Sequence, residues 1–206
     1  MEGYTTIAGL GTFEYEDRKS IFIGLARPVD TEEEALGFLA AVKKKYPDAR
    51  HHVYAYVLRE NSTTRFSDDH EPQGTAGMPV LDVIRKSGVR NVCVVVTRYF
   101  GGTLLGAGGL VRAYSHAASL AIEAAGIITY EPYTELELRC GYSEYQRYSV
   151  LLSAASAVID GVDYAEDVCV HFAVKESEKA SIVEKIVETG YGKDVPREVG
   201  TRFDYR

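Results

Sequence analysis

The run Val92-Cys93-Val94-Val95-Val96 leads directly into Arg98-Tyr99-Phe100-Gly101-Gly102-Thr103-Leu104-Leu105-Gly106-Ala107-Gly108-Gly109, and then into an alanine-rich stretch from Leu110 to Ala125. A strand that is apolar at every position has to be buried on both faces, so other elements must cover its sheet from two sides. The spacing predicts a strand from Asn91 to Thr97, a loop from Arg98 to Gly109 and a helix ended by Gly126. Glycines in such a loop let the backbone approach a ligand, and the helix start offers free N–H groups to an anion.

The rest of the chain fits around this unit. Residues 10–27 alternate polar and apolar positions and read as strands. Thr31-Glu32-Glu33-Glu34 has the form of a capping box before Ala35, Phe38, Leu39 and Val42, which recur at helical spacing. Lys43, Lys44 and Lys45 fall in the last turn of that helix, where cations complement the helix dipole. His52–Arg59 and Arg65–Ser67 read as a hairpin, and Pro79–Lys86 as a helix closed by Ser87-Gly88. From Ile127–Pro132 onward the order becomes strand, helix, strand, strand, helix, strand. Here Ser143-Glu144-Tyr145-Gln146 is read as a second capping box, and a last strand is expected over about 194–205. The expectation is an α+β chain of two domains, with a β-α domain over 1–129 and a ferredoxin-like βαββαβ domain over 130–206.

The 206 residues carry a formal net charge of −7, and from Tyr130 onward there are 9 basic against 15 acidic residues. The acidity therefore belongs mainly to the second domain, which disfavours it as a nucleic-acid binder. No apolar run approaches the roughly 20 residues that span a bilayer, and the start lacks the pattern of a signal segment. A cytoplasmic protein without a membrane partner is expected. Cys93, Cys140 and Cys169 are odd in number and far apart, which argues for structural thiols rather than disulfides or a structural zinc site.

Two segments could carry chemistry. In Arg65-Phe66-Ser67-Asp68-Asp69-His70-Glu71-Pro72-Gln73-Gly74-Thr75-Ala76-Gly77, the carboxylates of Asp68, Asp69 and Glu71 could hold Mg²⁺ or act as a base. An acidic turn in which Thr75 caps the next helix is the plainer reading. His51 and His52, adjacent on a strand, point to opposite faces and cannot jointly grip one ion. The second segment is the glycine loop, where Arg98 and Arg112 could make bidentate phosphate contacts. It has neither a Walker lysine nor a full Gly-x-Gly-x-x-Gly. Ser115 and His116 diverge by about 100° on a helix and cannot pair as nucleophile and base. Tyr142, Tyr145 and Tyr148 share a helix spacing and read as packing or interface residues.

Three stretches resemble the IMPACT family in its bacterial YigZ-type form. They are Pro47-Asp48-Ala49-Arg50-His51 with Tyr54-Ala55-Tyr56; Phe66-Ser67-Asp68-Asp69 with Glu71-Pro72 and Gly74-Thr75-Ala76-Gly77; and Thr97-Arg98-Tyr99-Phe100-Gly101-Gly102 with Leu105-Gly106 and Gly108-Gly109-Leu110-Val111-Arg112-Ala113-Tyr114. His70 stands where that family usually has Gly, and Gln73 where it often has Ser. The resemblance implies a first domain of the ribosomal-protein domain-2 type and a second like a module of elongation factor G. It also implies a link to translation, since the eukaryotic namesake competes for an activator of a stress-responsive initiation-factor kinase. The leading expectation is a non-catalytic protein, needing no cofactor, that contacts RNA, the ribosome or a translation-associated protein. Arg98, Tyr99, Gly101, Gly102, Gly106, Gly108, Gly109 and Arg112 would make the contact, with Thr75 and Gly77 nearby. The alternative is a small phosphate-ester-handling enzyme, kinase-like or hydrolytic, using the same loop with Asp68, Asp69 and Glu71.

Overall fold

The structure, a computed structural model, describes residues 2–205. The chain divides into two compact units, one made of Tyr4–Thr129 and the other containing Tyr130–Arg206. Among the described residues it is an α+β protein with five α-helices and two antiparallel sheets.

In the first unit, β1 (Tyr4–Ile7) is hydrogen-bonded to the start of the long strand β7 (Ile127–Cys140). The main sheet runs β2 (Gly11–Asp17), β3 (Ser20–Pro28), β6 (Val92–Tyr99), β4 (His51–Val57), β5 (Thr64–Ser67), antiparallel at every step. Strand β6 lies at its centre and, as its composition requires, buries both faces. Val92, Val94 and Val96 join the core beneath α2 (Gly77–Ser87) and α3 (Ala107–Ala125), whereas Cys93 and Val95 join the core beneath α1 (Glu32–Lys45). Burial pushes the Cys93 thiol up to about 12, so it is an inert packing group. Alanines at 113, 117, 118 and 121 let α3 lie close against the sheet.

The capping box of α1 forms. Thr31 Oγ1 accepts from the Glu34 N–H, and Glu34 reaches back to the N–H of Asp30, one residue beyond the usual partner. Two boundaries differ from expectation around the glycine loop. The ladder of β6 continues past Thr97, because Arg98 and Tyr99 pair with Phe22 and Ile21 of β3; both are strand residues rather than loop residues. Helix α3 begins at Ala107, so Gly108 and Gly109 lie in its first turn.

The second unit has sheet order β10 (Arg197–Asp204), β7, β9 (Val168–Lys175), β8 (Val158–Tyr164), all antiparallel. Helix α4 (Tyr142–Ala154) connects β7 to β8, and α5 (Lys179–Thr189) connects β9 to β10. This is the ferredoxin-like order. Leu136, Leu138, Val170, Phe172, Leu152 and Ile186 form its core. The capping box expected at Ser143 does not form. Gly141 is the N-cap, Ser143 lies inside the first turn, and its hydroxyl donates to the Glu144 carboxylate. Of the three tyrosines on α4, Tyr148 is fully buried and donates to Asp194, while Tyr142 is half exposed. No described helix is long and apolar enough to cross a membrane.

Candidate functional site

Arg98 is the hub of the contacts beneath the glycine loop. It is 5% exposed, and its Nη1 donates to Glu71 Oε1 at 2.7 Å while Nη2 donates to Ser20 Oγ at 3.2 Å. Its Cζ lies 5.4 Å from the ring centroids of both Phe22 and Phe100. Glu71 Oε1 also accepts from the Tyr114 hydroxyl at 2.7 Å. Burial and then the Glu71 carboxylate push that hydroxyl far above the usual tyrosine range, so it stays a donor. Ser20 Oγ accepts a second bond from the Gly101 N–H. One guanidinium thus ties together the β2–β3 hairpin, the turn before α2, the glycine loop and α3. The expectation that Arg98 reaches a phosphate is corrected here: strand pairing draws it into the interior, where an anionic partner is already present.

The turn between β5 and α2 is organised by its carboxylates. Asp68 Oδ1 accepts from the N–H groups of Ala76 and Gly77, and Oδ2 from Gly74. Asp68 therefore caps α2 from eight residues upstream. Thr75, expected to do so, instead donates its hydroxyl to the Pro72 carbonyl. Asp69 Oδ2 accepts from the His52 N–H at 2.6 Å. Asp69 and His70 both adopt positive φ, 41° and 70°, a conformation that glycine takes without steric cost. With Glu71 paired to Arg98, all three carboxylates proposed as metal ligands or base are engaged in holding this turn.

His51 and His52 point apart, as expected from the strand. His51 Nδ1 is 2.8 Å from the Asp69 carbonyl, whereas His52 Nδ1 is 3.0 Å from Thr97 Oγ1. Burial holds the His52 pKa below its ordinary value of 6.5, although the Asp69 carboxylate opposes the shift. The native state then resists a proton that the unfolded chain accepts, so this contribution to stability is present above pH 6.5 and is lost as pH falls below it. Between about pH 7 and pH 5 the unfolding free energy of the wild type should fall more steeply than that of His52→Gln. Urea denaturation at stepped pH measures this, and equal slopes would contradict it.

Around the hub lies an exposed rim. The β2–β3 hairpin turns through Arg18 and Lys19, both exposed and both in the left-handed region, with φ of 47° and 67°. Two-residue hairpin turns of this shape favour Asn-Gly, so an Arg-Lys pair breaks a local rule at a cost in stability. Lys19 is pressed against the glycine loop: a Cβ on Gly101 would lie 1.9 Å from the Lys19 carbonyl oxygen, so only glycine fits. Arg18 Nη1 is 3.5 Å from the Leu104 carbonyl. The loop then enters α3 through Gly106, whose φ of 72° suits glycine, and no side chain caps the helix. Gly106, Ala107 and Gly108 are exposed there. Arg112 is also exposed, and its Nη1 lies 3.8 Å from where a Gly108 Cβ would be, folded back toward the same helix start.

The two neighbouring helix starts are thus treated oppositely. The N–H groups of α2 are closed by Asp68, while among the described residues no side chain caps α3, Arg112 folds back toward its start, and Arg18 and Lys19 lie against the glycine loop that precedes it. Cations beside a helix N-terminus oppose the helix dipole, and an anion placed among them relieves that opposition. Of the residues expected to form the site, Gly101, Gly102, Gly106, Gly108 and Arg112 lie on this rim. Arg98, Gly109, Thr75 and Gly77 are buried beneath or beside it, and Tyr99 is half-buried at the end of β6. Arg18 and Lys19, exposed beside the same loop, are not among the residues the sequence singles out. The local signal for them is a two-residue turn, Arg18-Lys19, that interrupts alternating strands without Gly or Asn.

Comparisons with known proteins bear on both units. Residues 18–122 match the family model described as the Impact N-terminal domain, and residues 138–193 match a domain of unknown function, DUF1949. The chain is 34% identical over 194 residues to the IMPACT family member YvyE of Bacillus subtilis, covering 94% of this chain and 89% of that one. It is 35% identical over 195 residues to the IMPACT family member YigZ of Escherichia coli, covering 93% and 96%. A 94-residue portion is 37% identical to Protein IMPACT of Oryctolagus cuniculus, covering 44% of this chain and 30% of that one. A solved structure described as a hypothetical protein superposes with a TM-score of 0.61 at 34% identity, over 97% of this chain and 98% of that one.

Proposed function

Because the chain belongs to the IMPACT family, a family associated with translational regulation in eukaryotes, we propose that it is a non-catalytic binding protein of the translation machinery that contacts an RNA backbone. The contact surface is the rim of the first unit: Arg18, Lys19 and Arg112 around the open start of α3, with the loop from Gly101 to Gly108 bringing the backbone close. The observation that carries this reading is the Arg18-Lys19 turn, in which two cations are held in unfavourable backbone conformations against the glycine loop. A turn selected for stability alone would carry Asn or Gly there.

The geometry favours binding over phosphoryl transfer. Asp68, Asp69 and Glu71 already accept hydrogen bonds from backbone N–H groups, from Arg98 and from Tyr114, so none is poised as a base over the α3 N-terminus. Phosphate contacts make affinity fall with salt, at a slope of about 0.7 per phosphate neutralised on single strands. Binding of a single-stranded RNA oligonucleotide, followed by fluorescence anisotropy across a salt series, is expected to lose about two units of that slope in an R18A/K19A/R112A variant. An unchanged slope would contradict the assignment.

A further inference from the structure

Donors of three different chemistries meet on the face of the second unit's sheet that its helices leave uncovered. Cys169 and His171 are two residues apart on β9 and share that face. The register sets Glu137 of β7 opposite His171 and Asp163 of β8 opposite Cys169. The intervening residues Val168, Val170 and Phe172 point the other way, into the core with α4 and α5.

Cys169 Sγ lies 3.7 Å from His171 Nε2, and Asp163 Oδ2 lies 3.1 Å from the same nitrogen. The ligand atoms of Glu137, Cys169 and His171 all fall within 4.8 Å of one another. A proton relay uses the two ring nitrogens of histidine separately, one toward the thiol and the other toward the carboxylate. Here both groups converge on Nε2, which can serve only one of them. A cation among them would serve all at once. With metal–sulfur bonds of about 2.3 Å and metal–nitrogen or metal–oxygen bonds of about 2.0–2.2 Å, the edges of a tetrahedral zinc site are roughly 3.3–3.6 Å. The separations of 3.1 and 3.7 Å measured from His171 Nε2 bracket that range.

We propose that this cluster is a binding site for a zinc-class divalent ion, held by Cys169 Sγ, His171 Nε2 and a carboxylate oxygen of Glu137, with Asp163 as the fourth ligand. A thiolate and an imidazole select a borderline-soft ion over magnesium or calcium. On binding, the Cys169 thiol gives its proton to solvent and coordinates as thiolate, and His171 coordinates as neutral imidazole. Glu137 is held by Arg139 at 3.1 Å and Arg197 at 3.2 Å, but these arginine side chains are 76% and 73% exposed. Pairs this open to water are weak and yield to a metal.

The test uses the untagged full-length chain, stripped with a chelator and titrated with Co²⁺ and then Zn²⁺. One equivalent of Co²⁺ is expected to produce a thiolate-to-cobalt charge-transfer absorption, which Zn²⁺ displaces. Cys169→Ser should abolish that absorption and Cys140→Ser should leave it, because Cys140 is buried among the core residues. His171→Ala should weaken Co²⁺ binding by at least about tenfold. Circular dichroism of each variant reports that the fold is retained. Absence of the absorption at one equivalent in the wild type, or its survival in Cys169→Ser, would overturn the proposal.

Discussion

Replacing Glu71 by alanine is expected to lower the unfolding free energy of the first unit by about 3–5 kcal/mol. The Glu71 side chain is only 4% exposed and is the anionic partner of Arg98, itself 6% exposed at the side chain. Removing the carboxylate strands a buried guanidinium and leaves the Tyr114 hydroxyl without its acceptor. Breaking a buried pair from one side costs far more than the pair contributes in net terms. The double replacement E71L/R98M should therefore recover much of the loss while still dissolving the link from Ser20 to the turn. Guanidinium denaturation of the two variants separates these outcomes. A single variant within about 1 kcal/mol of wild type would show that Arg98 is not the hub described here.

Asp68→Ala should cost about 2–4 kcal/mol, since three bonds from backbone N–H groups to one carboxylate are lost together. Its effect has a local signature. The amides of Gly74, Ala76 and Gly77 should lose protection against hydrogen exchange, while those in the centre of β6 keep theirs. Asp68→Asn keeps an acceptor oxygen and should fall between the two. Loss of protection spread evenly over the unit would argue against a capping role.

The fold was largely legible because its signals are local. The valine run of β6 demanded a sheet covered on both faces, Thr31 and Glu34 announced α1, and the order of elements after Ile127 fits one familiar arrangement. The site was legible only in part, because its decisive contacts are distant in sequence. Arg98 and Ser20 are 78 residues apart, Gly101 and Ser20 81, and nothing local to Arg98 shows that Phe22 and Glu71 enclose it. An arginine two residues past a valine run reads as the start of a loop, although the ladder on both sides carries it inward. Likewise, Asp68 in an acidic run reads as a possible metal ligand until the chain folds back to offer it three N–H groups. Nothing in the cysteine spacing shows that Cys169 and His171 on β9 meet Glu137 and Asp163 from the two neighbouring strands.

The central claim is that the rim of Arg18, Lys19 and Arg112 contacts RNA phosphates in the translation machinery. Co-sedimentation with ribosomes from a source-cell extract across a salt series, comparing wild type with R18A/K19A/R112A, tests it most directly. The account predicts association that weakens steadily as salt rises, and a variant that remains folded but associates far less at low salt. Association of the variant equal to that of wild type at every salt concentration, or no association of the wild type at any, would contradict it.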